Sequence, residues 1–194
     1  MYSSSFPGSP RGTTCQGSRT RIILCGGGVI SAAISYYLTV LSKELKKSIE
    51  VIIVEKGAIA CSSSGKAGGF LALDWCKGLP IDELAQKSFS LHADLAKTLN
   101  GAENYGYRRV ETLEIYADDE LEDGKNIELS ENLNWLDQKL ISNMTTIGTS
   151  STTAQVDSYR FTTTLVNEAK LQGAKVLQGE VIGFSFDSEK SKND

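Results

Sequence analysis

Proline is scarce in this chain, with three residues at positions 7, 10 and 80. After Pro10 only Pro80 can interrupt a helix or strand. Histidine is scarcer still: His92 stands alone. The four cysteines, Cys15, Cys25, Cys61 and Cys76, form no CxxC pair. With one histidine to join them they lack the spacing of zinc ligands, so no metal site is expected. Scattered thiols suit a reducing compartment, where they serve as small apolar residues. No apolar run approaches the roughly 20 residues a bilayer crossing needs, which excludes a membrane span. Basic residues are outnumbered, 20 against 24 acidic ones for a net charge of -4. Binding driven by nucleic-acid phosphates wants the opposite balance, so nucleic acid is excluded as a partner. The hydrophobic fraction of 40% in 194 residues is still enough for a packed core. The length allows one ordinary domain and part of a second.

Residues 1–20 are rich in Ser, Gly and Thr, show no apolar period, and read as a disordered tail. No acid precedes Glu44, a composition resembling a mitochondrial presequence, but the Leu-bearing amphipathic helix is missing. The expected compartment is the cytoplasm, with the mitochondrion as the alternative. Asn143-Met144-Thr145 fits a glycosylation sequon, yet nothing signals secretion.

Ordered sequence starts abruptly. Arg21–Cys25 is a short apolar run suited to a buried parallel strand. Gly26-Gly27-Gly28 follows, then a helix from Val29 to about Leu45 on the spacing of Ile30, Ala33, Ile34, Tyr37, Leu38 and Leu41. Val51–Val54 is a second buried strand, ending at Glu55. A right-handed crossover would make the two strands parallel neighbours. A loop rich in Gly and Ser, Cys61–Gly69, leads to a helix over about Ile81–Leu99 with Leu84, Phe89, His92, Leu95 and Leu99 on its buried side. Tyr107–Val110 and Thr112–Tyr116 read as strands, or as a single long one. An acidic surface connection spans Asp118–Glu131, and Asn134–Leu140 is a short helical candidate. A polar Thr/Ser stretch precedes Val156. Phe161–Leu171 is helical and ends at Gly173. Lys175–Leu177 and Glu180–Phe186 read as strands before the charged end, 187–194.

The glycine turn carries the chemistry. Gly26 lets the chain turn tightly from strand to helix, and Gly28 lets backbone approach a phosphate. The amides near Val29 and Ile30 then sit at a helix N-terminus, where unpaired N–H groups and the dipole face an anion. Hydrogen bonds of this charged kind contribute about 1.5–3 kcal/mol each. Ser31 fills the third position of G-x-G-x-x-G, where alanine is also accepted. Glu55, at the end of the second strand, can accept from both ribose hydroxyls. It also disfavours a 2′-phosphate, since two like charges 4 Å apart repel by about 4 kcal/mol at an effective dielectric of 20. The pattern points to FAD or NAD rather than NADP. The hydroxyls and amides of Cys61–Phe70 form a second phosphate-compatible loop that could serve a longer cofactor.

CGGGVIS at the turn, VIIVEKG at the acid and SSSGKAGGFLA in the loop resemble the FAD-dependent oxidoreductase family that includes D-amino-acid oxidase, glycine oxidase and sarcosine oxidase. The sequence is most similar to the fungal oxidoreductases within it. GYRRVETLEIYADDE looks like the family's first strand pair in the substrate domain. AQVDSYRFTTTLVNEA with GAKVLQGEVIGF looks like the return to the cofactor domain. The resemblance implies an α/β chain: a Rossmann-like FAD-binding domain with part of an inserted β-rich substrate domain. The implied divisions are 21–100 for the first part of the FAD-binding domain, 101–154 for the partial substrate domain and 155–186 for the return. Gly26, Gly28, Val29 and Ile30 would hold the pyrophosphate. Glu55 would bind the ribose with Lys56 beside it. Ser63, Ser64, Lys66, Ala67, Gly68 and Gly69 would flank pyrophosphate and flavin, and Val181 would meet the adenine. Two positions depart from the family pattern, Glu111 for a frequent glycine and Ser158 for a frequent proline. Family members run to about twice this length, so the expectation is a truncated product or a remainder supplied elsewhere. No catalytic residue is assigned. The implied reaction oxidises a carbon–nitrogen bond of an amine or amino acid by hydride transfer to flavin. The alternatives are a non-catalytic FAD-binding adaptor and an NAD-linked dehydrogenase.

Four other features suggest bland roles first. His92 reads as a core or edge histidine in the absence of a nucleophile constellation. Asp74-Trp75 reads as a packed Trp with a capping Asp, and Arg108-Arg109 as strand residues with one side chain in solvent. The acids Asp118, Asp119, Glu120, Glu122 and Asp123 lack the order of a calcium loop.

Overall fold

The protein is described by a computed structural model covering residues 20–118, 129 and 131–186. The expected tail up to residue 19, the charged end 187–194 and most of the acidic connection, with Asp119, Glu120, Glu122 and Asp123, lie outside the described residues. In chain order the elements are β1 (Thr20–Cys25), α1 (Val29–Glu44), β2 (Ile49–Glu55), β3 (Phe70–Ala72), α2 (Asp82–Thr98), α3 (Gly101–Tyr105), β4 (Arg108–Arg109), β5 (Thr112–Ala117), β6 (Ile141–Gly148), β7 (Thr153–Gln155), α4 (Ser158–Leu171) and β8 (Lys175–Gln178).

The frame is a parallel sheet in the order β1-β2-β8. Ile22 lies opposite Val51, Leu24 opposite Ile53, and Ile53 opposite Val176. These side chains share one face of the sheet, as alternate strand residues must, and Leu24, Val51, Ile53 and Val176 join the core with α1 and α4. Val51, Ile53, Ala32, Leu165, Val166 and Ala169 are buried there almost completely. Phe161 is the hinge of the helical layer: its ring lies 4.8 Å from His92 and 5.2 Å from Tyr105, centroid to centroid. An antiparallel sheet β3-β7-β4 and a two-stranded sheet β5-β6 complete the fold.

Several expectations are corrected. β1 is an edge strand and only half-buried, with Ile23 55% exposed, because helices cover one face of the sheet only. On α1 the buried residues are Ala32, Ser35, Tyr36 and Thr39, while Ile30, Ile34 and Leu41 face outward. Small residues let α1 approach closely, and the hydroxyls are satisfied within the helix, Ser35 Oγ by Ala32 O and Thr39 Oγ1 by Ser35 O. Leu84 is exposed rather than buried on α2. Residues 107–116 do not form one strand: β4 pairs with β7 and β5 with β6, in different sheets. The polar stretch before Val156 contains two strands, β6 and β7, because β5 and β3 supply partners that local sequence does not reveal. The candidate helix at 134–140 holds a single short 3₁₀ turn, Gln138–Leu140, and another, Glu131–Leu133, lies just before it. The expected strand at 180–186 does not form. It has no pairing partner among the described residues, and Ile182, Phe184 and Phe186 stand exposed.

Glu50 on the central strand is buried, and neighbouring strands bring it two cations: Arg21 Nε at 2.8 Å and Lys175 Nζ at 2.7 Å. The hydrogen bond from Lys175, then that from Arg21, pulls its pKa from 4.5 to about 2. A carboxylate with a lowered folded pKa stabilises fully above its unfolded value, and the contribution drains away as pH falls through the folded one. Glu50→Gln is therefore expected to lower Tm at neutral pH and to flatten the fall in Tm between pH 4.5 and about 2. Thermal melts across that range test this; an acid limb as steep as in the unsubstituted protein would refute it.

Candidate functional site

Open parallel sheets bind ligands beyond the carboxyl ends of their strands. Here a cavity of about 400 Å³ lies where β1, β2 and β8 end. It brings together six of the expected residues: Gly26, Gly28, Glu55, Lys56, Ser64 and Val181. The turn out of β1 is possible because Gly26 adopts φ +93°, a region that side chains disfavour. Its N–H donates to Val54 O at 2.8 Å, which ties the turn to β2.

Glu55 is the keystone of this cavity. Oε2 accepts from the N–H of Gly27 at 2.5 Å and Oε1 from the N–H of Gly57 at 2.6 Å. These bonds, Gly57's first and Gly27's second, hold its pKa below the ordinary carboxylate range, so it is ionised at neutral pH. A carboxylate has about four acceptor positions, so two such bonds leave capacity for sugar hydroxyls. Lys56 beside it pairs with Glu180 at 3.2 Å. Gly179 N–H donates to Glu55 O and Gln178 Nε2 to Lys56 O, which straps the segment before Val181 against the acid.

At the other end of the cavity the first turn of α1 carries no acid and no side-chain cap of its own. Ser64 Oγ, from a distant loop, accepts the Val29 N–H at 3.0 Å. The N–H groups of Gly28, Ile30 and Ser31 have no partner among the described residues. Orphan amides at the positive end of a helix dipole are the donor set a diphosphate requires. The residues present thus fit a dinucleotide, with a carboxylate for the sugar and amides for the phosphates.

The remaining expected residues are placed otherwise. Val29 and Ile30 do not line the cavity, and they enter only through their amides. Ser63 does not line this cavity; its carbonyl accepts from Lys66 N–H in a short 3₁₀ turn. Lys66, Ala67 and Gly68 line a second cavity of about 430 Å³ together with Arg108, Gln155 and Ser158. Gly69 is structural. It has φ +73°, a Cβ there would lie 1.9 Å from Val156 O, and its own carbonyl accepts from Val156 N–H. Ser158, the departure from proline, donates Oγ to Ala67 O at 2.8 Å and so holds the loop from α4.

Sequence reasoning missed Gly27, Gly57 and Gly179. Their role lies in backbone amides and packing, and only the run of three glycines hinted at it. It also missed the capping role of Ser64, which joins positions 35 residues apart. Of the discounted candidates, His92 packs on Phe161, and burial lowers its pKa. Trp75 donates Nε1–H to Ile147 O. Arg109 stacks over Phe89 at 4.5 Å. Glu55→Gln would set an NH₂ against one of the two amide donors. Leaving such a donor unmet costs about 1–3 kcal/mol. The expected outcome is a lower denaturation midpoint at unchanged m-value; a midpoint equal to that of the unsubstituted protein would overturn the keystone role.

Residues 21–192 match the family model described as FAD dependent oxidoreductase (DAO). A Schizosaccharomyces pombe protein named as an oxidoreductase is 30% identical over 162 residues, 83% of this chain and 42% of the relative. Among solved structures, glycine oxidase from Bacillus cereus has a TM-score of 0.67 at 21% identity, covering 88% of this chain and 49% of that one. Glycine oxidase from Geobacillus kaustophilus has a TM-score of 0.60 at 22% identity, covering 82% and 47%. The chain spans less than half the length of these relatives. The structural likeness confirms the α/β, Rossmann-like fold. The family match covers most of the chain, and the chain belongs to the FAD dependent oxidoreductase family.

Proposed function

We propose that this chain supplies the nucleotide-binding part of a flavoenzyme that oxidises a carbon–nitrogen bond of an amino acid or amine. The carrying observation is the Glu55 carboxylate fixed between two glycine amides, facing the unpaired amides of α1 across one cavity. Bound there, the flavin would supply the redox chemistry, taking a hydride from the carbon beside the amine and passing the electron pair to dioxygen to give peroxide. The residues of the chain hold and orient. Glu55 would receive the ribose hydroxyls with its remaining lone pairs. The amides of Gly28 and Ile30 would meet the pyrophosphate, with Ser63 and Ser64 in the loop beside it. Val181 would lie along the adenine. Lys66, Ala67, Gly68 and Gly69 would follow the flavin ring on the far side of the loop.

The division of the chain proposed here keeps the parallel sheet in one part, and the β3-β7-β4 sheet joins the two parts. Residues 21–100 and 155–186 contain β1, β2 and β8 and form the cofactor part, while 101–154 belong to a substrate domain. The outer edge of β1, unpaired among the described residues, and the exposed Ile23, Ile30 and Ile34 support further polypeptide packing there in the whole protein. No helix among the described residues is long and apolar enough to cross a membrane. The scattered cysteines support a reducing compartment such as the cytoplasm.

The test is spectroscopic. Full-length purified protein is expected to carry a flavin absorption band that amino acids or amines bleach without oxygen. A nicotinamide spectrum would overturn the flavin assignment. Flavin that no such compound reduces would make the protein a non-catalytic FAD binder. Location is tested separately by thiol labelling. Cys25 and Cys61 are exposed and line the first cavity, whereas Cys76 lies outside it. FAD is expected to slow alkylation of Cys25 and Cys61 at least tenfold and to leave Cys76 unchanged. Equal labelling with and without FAD would show that the cofactor sits elsewhere.

A further inference from the structure

Two thiols meet at the first cavity without any part in holding a nucleotide. Cys25 closes β1 and Cys61 opens the loop after β2; both are free, exposed and part of the cavity wall. Cys76 is free as well and lies outside the cavity.

Of the two, Cys61 is the more closely tied to the site. The residue before it, Ala60, is buried and takes φ +59°, a left-handed conformation uncommon outside glycine. Ala60 N–H donates to Gly27 O at 3.0 Å, and Cys61 N–H donates to Ala58 O at 3.2 Å. A Cβ on Gly57 would lie 3.2 Å from Cys61 Sγ and 3.4 Å from Glu55 Oε1. Sulfur and carboxylate therefore flank the same glycine. Any group attached to Sγ starts beside the acid expected to hold the ribose.

The rest of the cavity suits a particular kind of attached group. Its volume, about 400 Å³, is that of a small-ligand site. At the start of α1 the amides of Gly28 and Ile30 have no partner among the described residues, and a helix amino end favours an anion. Beside the sulfur, Glu55 is an acceptor only, ready for ammonium or peptide N–H groups. A tethered chain with carboxylates for the amides and N–H donors for Glu55 meets both ends.

We propose that Cys61 is a modification site for a carboxylate-bearing peptide thiol, joined as a mixed disulfide that fills the cavity and excludes the nucleotide. This rests on the reading of the cavity as the nucleotide site. The oxidant is a low-molecular-weight disulfide. The Cys61 thiolate attacks one of its sulfurs, and the reagent's S–S bond breaks as the new one forms. Cys61 is oxidised, and half of the reagent leaves as a thiol, taking up the proton that Cys61 released. Excess free thiol reverses the exchange, so nucleotide binding follows the thiol–disulfide balance of the surroundings.

The experiment uses full-length protein freed of FAD and two disulfide reagents. Oxidised glutathione carries carboxylates, and cystamine carries only ammonium groups. Peptide mass mapping is expected to find a glutathionyl group on Cys61, added at least tenfold faster than on Cys76. The modified protein should bind FAD and ADP at least tenfold more weakly by calorimetry, and dithiothreitol should restore both. In Cys61→Ser the same treatment should change either affinity less than twofold. The exchange equilibrium at Cys61 should favour glutathione over cystamine at least tenfold. Modification of Cys25 in place of Cys61, unchanged FAD and ADP affinities after modification, or equal equilibria for the two reagents overturns the assignment. Any of these beside a flavin band that amino acids or amines bleach leaves the flavoenzyme reading standing. Loss of ADP binding on modification, in a protein that never binds FAD, keeps the thiol site and removes the flavin reading.

Discussion

One carboxylate holds two loops in register. Glu55 closes β2 and takes the amide of Gly27 from the loop after β1 on one oxygen, and the amide of Gly57 from its own loop on the other. An amide side chain could satisfy only one of these donors, and an aspartate would be one methylene short of both. The same two bonds that shape the turn also keep the group ionised, so structure and charge are set by a single interaction. A sugar hydroxyl arriving here would meet an acceptor already oriented, with no reorganisation left to drive.

A second constraint is the loop from Ser62 to Gly68, which divides two cavities. Its outer side lends Ser64 to the amino end of α1, and its inner side is held from α4 by Ser158 and from β7 by Gln155. Segments far apart in sequence therefore fix one short stretch of backbone from three directions. Gly69 then lets the chain pass within contact of Val156 and enter β3.

Features whose cause is local were legible in the sequence. The glycine turn, Glu55 at a strand end, the extents of α1 and α2, and the end of α4 follow from periodicity and turn chemistry, whereas the first turn of α4, from Ser158, lies before the expected start at Phe161. Features whose cause is a distant partner were not. β6 reads Ile-Ser-Asn-Met-Thr-Thr-Ile-Gly, too polar to suggest a strand, and forms one because β5 lies beside it. Residues 180–186 read as a strand and lack a pairing partner among the described residues. The inward side of α1 was misjudged for a related reason. Ser35 and Thr39 look polar, but their hydroxyls are satisfied by the helix's own carbonyls, so they can be buried. Within the site, glycines 27 and 57 act through amides whose acceptor is a side chain elsewhere, and composition carries no trace of that.

An edge strand is an unpromising place to build a precise turn, since among the described residues β1 has one neighbour and one covered face. The turn is nonetheless fixed, because its order does not come from burial of β1. Gly26 N–H reaches Val54 O, Gly27 N–H reaches Glu55, and Gly27 O accepts from Ala60 N–H at 3.0 Å. All three partners belong to β2 or the loop after it, and β2 is the buried central strand. Fraying of β1 at Thr20 would therefore have to break this clamp before it disturbed the phosphate end of the site. The candidate site is thus anchored to the buried central strand, while Ile23 and the edge of β1 that is unpaired among the described residues lie away from the clamp.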